Sequence, residues 1–135
     1  MGRELLAKAR PRVRARTPQG VPGDFNLELQ QQLQDTGSLK WVGHCSELNA
    51  SCAADGCARL NGMGALLVTN VVGALSSING VVGSYSERVP VACICGSIPL
   101  KSIDRGLGMH HTMADGTWDR FLGAYAQVTA ARGPD

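Results

Sequence analysis

Four side chains in this sequence have the types and settings for proton chemistry: Glu47, Asp24, His110 and His111. Glu47 stands in WVGHCSELNASCAADG (41–56), where a stretch ending in Trp41 and Val42 passes through Gly43 into an alanine-rich run. A carboxylate in the first turn of a helix complements the helix dipole, so the acid has a plain structural reading beside a chemical one. Asp24 follows Pro22-Gly23 and has a plain reading too, as the cap of a short helix. His110 and His111 are adjacent, and neighbouring rings rarely serve one metal ion without strain. The spacings of known zinc sites are missing, so no metal site is read. Two imidazoles in a loop can carry protons near neutral pH, or can have no role at all.

The elements that position these residues follow from periodicity. Phe25, Leu29 and Leu33 recur at four-residue intervals, which predicts a helix to about Gln34 with Asp24 as its cap. Thr36-Gly37-Ser38 breaks it, and Leu39 to Val42 reads as a strand. A second helix is expected from Ser46 to Leu60, ending at Asn61-Gly62. Ala65 to Thr69 is a continuous apolar run, as in a strand buried on both faces. Leu75, Ile78, Val81, Val82 and Tyr85 mark a third helix over about 75–87, and Pro90 to Cys95 another buried strand. Residues 96–109 read as irregular. Trp118, Phe121, Leu122, Tyr125 and Val128 predict a last helix capped by Asp115 or Thr117.

Strand and helix therefore alternate. The expected fold is α/β, a parallel sheet with helices on both faces. In such sheets ligands bind at the carboxyl ends of the strands. His44 to Glu47, Asn70 to Gly73, and the loop with His110-His111 all follow strands.

Composition bounds the rest. The 135 residues suit one domain, and aromatic content of 4% leaves the core to aliphatic residues, alanine and cysteine. No apolar run approaches the roughly 18 residues of a membrane span, and no secretory signal is visible, so a cytoplasmic location is expected. The net charge of +2 hides a basic arm with Arg3, Lys8, Arg10, Arg12, Arg14 and Arg16 against Glu4 alone. Residues 1–20 read as a disordered or misfitting tail, with an organelle-targeting peptide as the alternative. The arm has no aromatics for stacking and the remainder is not basic, so no nucleic-acid partner is expected. Five cysteines with no C-x-x-C pair argue against a disulfide framework or zinc ribbon and read as buried reduced thiols. Neither a G-x-G-x-x-G after a strand nor a P-loop is present.

Five segments together carry more than pattern: VPGDFNL (21–27), WVGHCSELNA (41–50), AADGCARLNGMGAL (53–66), SSINGVVGSYSERVPV (76–91) and MHHTMADG (109–116). In unbroken order over about residues 20 to 131, they resemble the N-terminal, pyrimidine-binding domain of thiamine-diphosphate-dependent 2-oxo acid decarboxylases, such as pyruvate and indolepyruvate decarboxylases. The resemblance implies a Rossmann-like pyrimidine-binding domain, incomplete at both ends: a basic arm (1–20), the partial domain (21–131) and a tail (132–135). It also implies roles. Glu47 matches the glutamate that hydrogen-bonds the cofactor's aminopyrimidine ring. Asp24, His110 and His111 match an acid and histidine pair that handles protons on the substrate. Val21 and Val72 match positions lining the pyrimidine pocket.

Departures accompany the match. The last helix and strand, the middle domain and the diphosphate-binding domain that would hold Mg2+ are expected to be missing. ARPRVRARTPQG (9–20) replaces a buried strand and cannot be one, because unpaired buried charge is costly. Cys52 and Cys57 stand where aromatic residues are usual, and Asn70-Val71 replaces Tyr-Gly or Tyr-Ser. The expected function is the pyrimidine-binding part of a carbon-carbon lyase that turns a 2-oxo acid into an aldehyde and carbon dioxide, inactive alone. Its implied partners are a homo-oligomer or a chain supplying the diphosphate-binding domain. The alternative is a non-catalytic module that docks on a full-length homologue.

Overall fold

The computed structural model describes residues 15–133. Residues 1–14, most of the basic arm, lie outside that range, and so do the readings made of them. Four strands form one parallel sheet in the order β2-β1-β3-β4. They are β1 (Gln19–Gly20), β2 (Val42–Gly43), β3 (Gly64–Val68) and β4 (Val91–Cys95). The helices are α1 (Leu27–Asp35), α2 (Glu47–Asn61), α3 (Val72–Ser86), α4 (Leu100–Asp104) and α5 (Arg120–Tyr125). Right-handed crossovers put α2 and α3 on one face and α1 on the other, because β1 to β2 runs opposite to β2 to β3 and β3 to β4.

α2 begins as its sequence predicts. The Ser46 hydroxyl accepts from the Asn49 N–H at 3.3 Å, and Gly62 closes the far end in the left-handed region. Ala50, Ala54, Leu66, Val68, Ala74 and Val81 build the core between α2, β3 and α3, with Phe121 and Tyr125 of α5 added to it. Small residues dominate the helix contact. A Cβ on Gly80 would run into the Ser51 side chain, so α2 and α3 approach closely only with glycine there. Tyr125 ties α5 to α3 by donating to Ala74 O at 2.8 Å, and its hydroxyl also meets Ser77 Oγ at 2.8 Å. Burial holds that phenol protonated far above its ordinary pKa.

Several expectations are corrected. The arm does supply a buried strand: Pro18, Gln19 and Gly20 are buried between β2 and β3, and the charge of Arg16 stays exposed. Among the described residues the part of the arm that enters the sheet is its uncharged end, so the strand buries no charged side chain. β2 is shorter than the predicted 39–42, and residues 100–104 are helical within the segment expected to be irregular. α5 is shorter than predicted, and Asp119 precedes it at the N-cap position without a side-chain cap bond. Asp115 instead accepts from the Thr117 N–H at 3.0 Å in a local turn. Asp24 does not cap α1; Asn26 holds that position, also without a side-chain cap bond. Cys45 and Cys52 are exposed and Cys57, Cys93 and Cys95 half-buried, so Cys52 leaves no gap in the core.

Candidate functional site

The carboxyl ends of β1, β2 and β3 bring two groups of side chains to either side of Thr69. On one side is Glu47, the first residue of α2, half-buried at the positive end of that helix. Its Oε1 lies where Gly73 opens α3: a Cβ on Gly73 would stand 3.3 Å from that oxygen and 3.0 Å from Thr69 Cγ2. The glycine leaves a cradle beside the carboxylate that any side chain would fill. Val72, the neighbouring residue at the start of α3, is 47% exposed and free to face a ligand.

On the other side Gly23 packs on Thr69, and Asp24 follows it. Asn26, fully enclosed, shapes this turn. Its Oδ1 accepts from Gly23 N–H at 3.0 Å and from Gln30 Nε2 at 2.6 Å, while its Nδ2 donates to Val21 O at 3.2 Å. The turn presents Asp24 to His110, with Oδ2 and Nε2 2.9 Å apart. Phe25 stacks on the His110 ring at 4.8 Å between centroids and meets His111 edge-on at 5.9 Å. The two imidazoles are 4.8 Å apart, at 71°. His111 takes a positive φ of 62°, and its Nδ1 is buried with no partner among the described residues.

Thus Asp24, His110 and His111 form one cluster, while Glu47 stands apart from it and connects through Thr69 and the two glycines. Val21 is half-buried at the mouth of β1, and its carbonyl holds the turn. Sequence reasoning missed Asn26, Phe25 and Thr69. The signal for Asn26 was present, since a turn of the form P-G-D-x-N has an amide side chain in reach of its own backbone. Thr69 carried none. His44 was left without a role; its ring bridges Gln19 Oε1 at 2.7 Å and Asn49 Oδ1 at 2.5 Å, and so links β1 to the first turn of α2.

The donors fit the pyrimidine half of thiamine diphosphate. A carboxylate beside an empty cradle, the buried Thr69 hydroxyl and the buried His111 Nδ1, both without partners among the described residues, await a polar ring. They do not fit a divalent cation, since the described residues hold no cluster of three metal-binding side chains.

The family described as thiamine pyrophosphate enzyme, N-terminal TPP binding domain, matches residues 2–119. This chain belongs to that family. The match takes in the basic arm, in keeping with the strand at Gln19–Gly20. A pyruvate decarboxylase of Aspergillus fumigatus is 44% identical over 130 residues, which are 96% of this chain and 23% of the relative. An alpha-keto-acid decarboxylase of Mycobacterium avium is 43% identical over 113 residues, 84% of this chain and 20% of the relative. The chain therefore spans less than a quarter of the relatives it matches.

Proposed function

We propose that this chain is the pyrimidine-binding part of a thiamine-diphosphate-dependent, non-oxidative 2-oxo acid decarboxylase, and that it works with a chain supplying the diphosphate-binding domain and its Mg2+. The observation that carries the reading is the Glu47 carboxylate held at the cradle of Gly73, with Thr69 between Gly73 and the Gly23 that precedes Asp24 of the Asp24–His110–His111 cluster. When bound, the cofactor supplies a nucleophilic carbon and an electron sink for the decarboxylation. Glu47 shares a proton with the aminopyrimidine ring, and a drier pocket strengthens that hydrogen bond. Val21 and Val72 flank the ring. Asp24 and His110 hold a proton between them, and His111 offers a second imidazole, so the cluster can deliver and remove protons at the substrate carbon. Residues 21–131 carry this site, and β1 extends the unit to Gln19. No helix among the described residues is long and apolar enough to cross a membrane. A cytoplasmic location belongs to the same proposal, with organelle targeting by the basic arm (1–20) as its variant.

The test mixes the protein with a separately expressed diphosphate-binding chain of a relative and follows aldehyde formation from pyruvate. Activity is expected only in the mixture, and Glu47→Gln is expected to lower it by about 100-fold or more. An assembled but inactive mixture overturns the catalytic reading and favours the non-catalytic docking module.

A further inference from the structure

His44 lies outside the acid–histidine cluster, three residues before Glu47, and both nitrogens of its half-buried ring are in use. Nε2 is 2.7 Å from Gln19 Oε1, and Nδ1 is 2.5 Å from Asn49 Oδ1. Gln19 fixes the sense of the first bond. It is buried, and its Nε2 donates to Thr17 O at 2.8 Å, so its Oε1 is the atom left for His44 and accepts from the ring's Nε2–H. Nδ1 of the neutral ring is then bare. A half-turn of the Asn49 amide puts Nδ2 where Oδ1 stands, so Asn49 can donate to a bare Nδ1 or accept from a protonated one.

The two bonds join elements on which the proposed site depends. Gln19 belongs to β1, and Asn49 to the first turn of α2, two residues after Glu47. The backbone of His44 is tied to β1 as well, with its N–H donating to Gly20 O at 3.0 Å. Asn49 N–H donates to Ser46 Oγ, so the histidine grips the same residue that the helix cap grips. Among the described residues, no other side-chain hydrogen bond links the first turn of α2 to β1. Residues 47 and 49 stand about 200° apart around a helix. Asn49 is therefore held on the β1 side while Glu47 reaches Gly73 of α3 on the other. A roll of the helix by about 10° would move an atom about 6 Å from its axis by about 1 Å. A misplacement of that size at a reacting group is costly.

We propose that His44 is a positioning residue for Glu47: it locks the roll of the first turn of α2 against β1 and so sets where the carboxylate stands at the Gly73 cradle. The proposal rests on the reading of Glu47 as the group that meets the aminopyrimidine ring.

The experiment uses the full, isotope-labelled chain and its His44→Leu and His44→Gln variants. Leucine fills the space without a polar atom, and the glutamine amide supplies both a donor and an acceptor. In His44→Leu the Asn49 amide is expected to exchange about tenfold faster, with the Leu66 and Val68 amides within about twofold of their original rates. The Glu47 carboxyl carbon is expected to change its chemical shift. In the parent chain the neutral His44 ring should be the Nε2–H tautomer. In the mixture with a diphosphate-binding chain, His44→Leu should lower kcat about tenfold. KM for pyruvate should stay within about twofold, since Glu47 acts on the cofactor rather than on the substrate. His44→Gln should recover most of each change. Unchanged Asn49 exchange and Glu47 resonance in His44→Leu overturn the proposal, and so does the Nδ1–H tautomer in the parent. Equal acceleration of the β3 amides shows a general loss of stability, and a rise in KM at constant kcat shows a role in substrate binding; either overturns it. A parent mixture without activity overturns the decarboxylase reading alone, because exchange and the Glu47 resonance need no cofactor and still decide whether His44 sets the carboxylate.

Discussion

β3 and β4 are five-residue apolar strands paired along their whole length, and they live in different environments. Leu66 and Val68 of β3 have no exposure, whereas every residue of β4 is half-buried. The two sequences, GALLV and VACIC, do not foretell this. β3 has strands on both sides and helices on its face, while β4 has one neighbouring strand among the described residues and a groove. Burial is a property of position in the sheet, and hydrophobicity only permits it. The functional groups sort the same way. The β3 end carries Thr69, whose neighbours are Gly23 and Gly73, and β4 carries two thiols.

The sharpest way to break this comparison is a truncation in each strand. Leu66→Ala is expected to lower stability by about 3–4 kcal/mol and Ile94→Ala by about 1–2, read by urea unfolding. Equal losses would mean that the edge is as closed as the centre.

A second contrast is in pH. Burial pushes the Cys93 thiol up to about 11, and burial together with the neighbouring Cys93 pushes Cys95 up to about 12, from an ordinary 9.0. The neutral thiols therefore contribute stability that is whole below pH 9 and lost as pH rises through 11 and 12. Thermal unfolding should show the melting temperature falling across that window, with a smaller fall in Cys95→Ser. The exposed Cys45 and Cys52 should alkylate first in the folded protein.

The junction after β3 is strained. Val71 is β-branched, buried, and sits at φ 39°, where a Cβ is unfavourable. Val71→Gly should be more stable than Val71→Ala by about 1 kcal/mol, since both lose the packed side chain and only glycine relaxes the backbone. The smallest effect is expected in the acid–histidine cluster. Asp24 and His110 are 67% and 52% exposed, so Asp24→Asn should alter stability by less than about 0.5 kcal/mol, in a direct unfolding comparison.

Much of the frame was legible beforehand. Ser46 and Gly62 bracket α2 within a residue of expectation, because capping is local chemistry between a side chain and the nearest backbone groups. The core strands were legible from their apolar runs. The arm was misread at its end because a pattern dominated by arginines concealed Pro18 to Gly20, and a two-residue strand leaves no periodicity. Asp24 was misassigned as a cap because Asn26 competes for the same turn, and only the path of residues 109–111 decides which partner the carboxylate takes.

By itself the sequence determined the alternating α/β order, the limits of α2 and β3, and the motif run that marks the family. These rest on interactions between residues a few positions apart. Tertiary structure alone decided that Thr69 stands between Gly23 and Gly73, that Cys52 faces water, and that β4 has a neighbouring strand on one side only among the described residues. Each of those depends on which distant segment arrives as a neighbour, and that is settled by packing the whole chain at once.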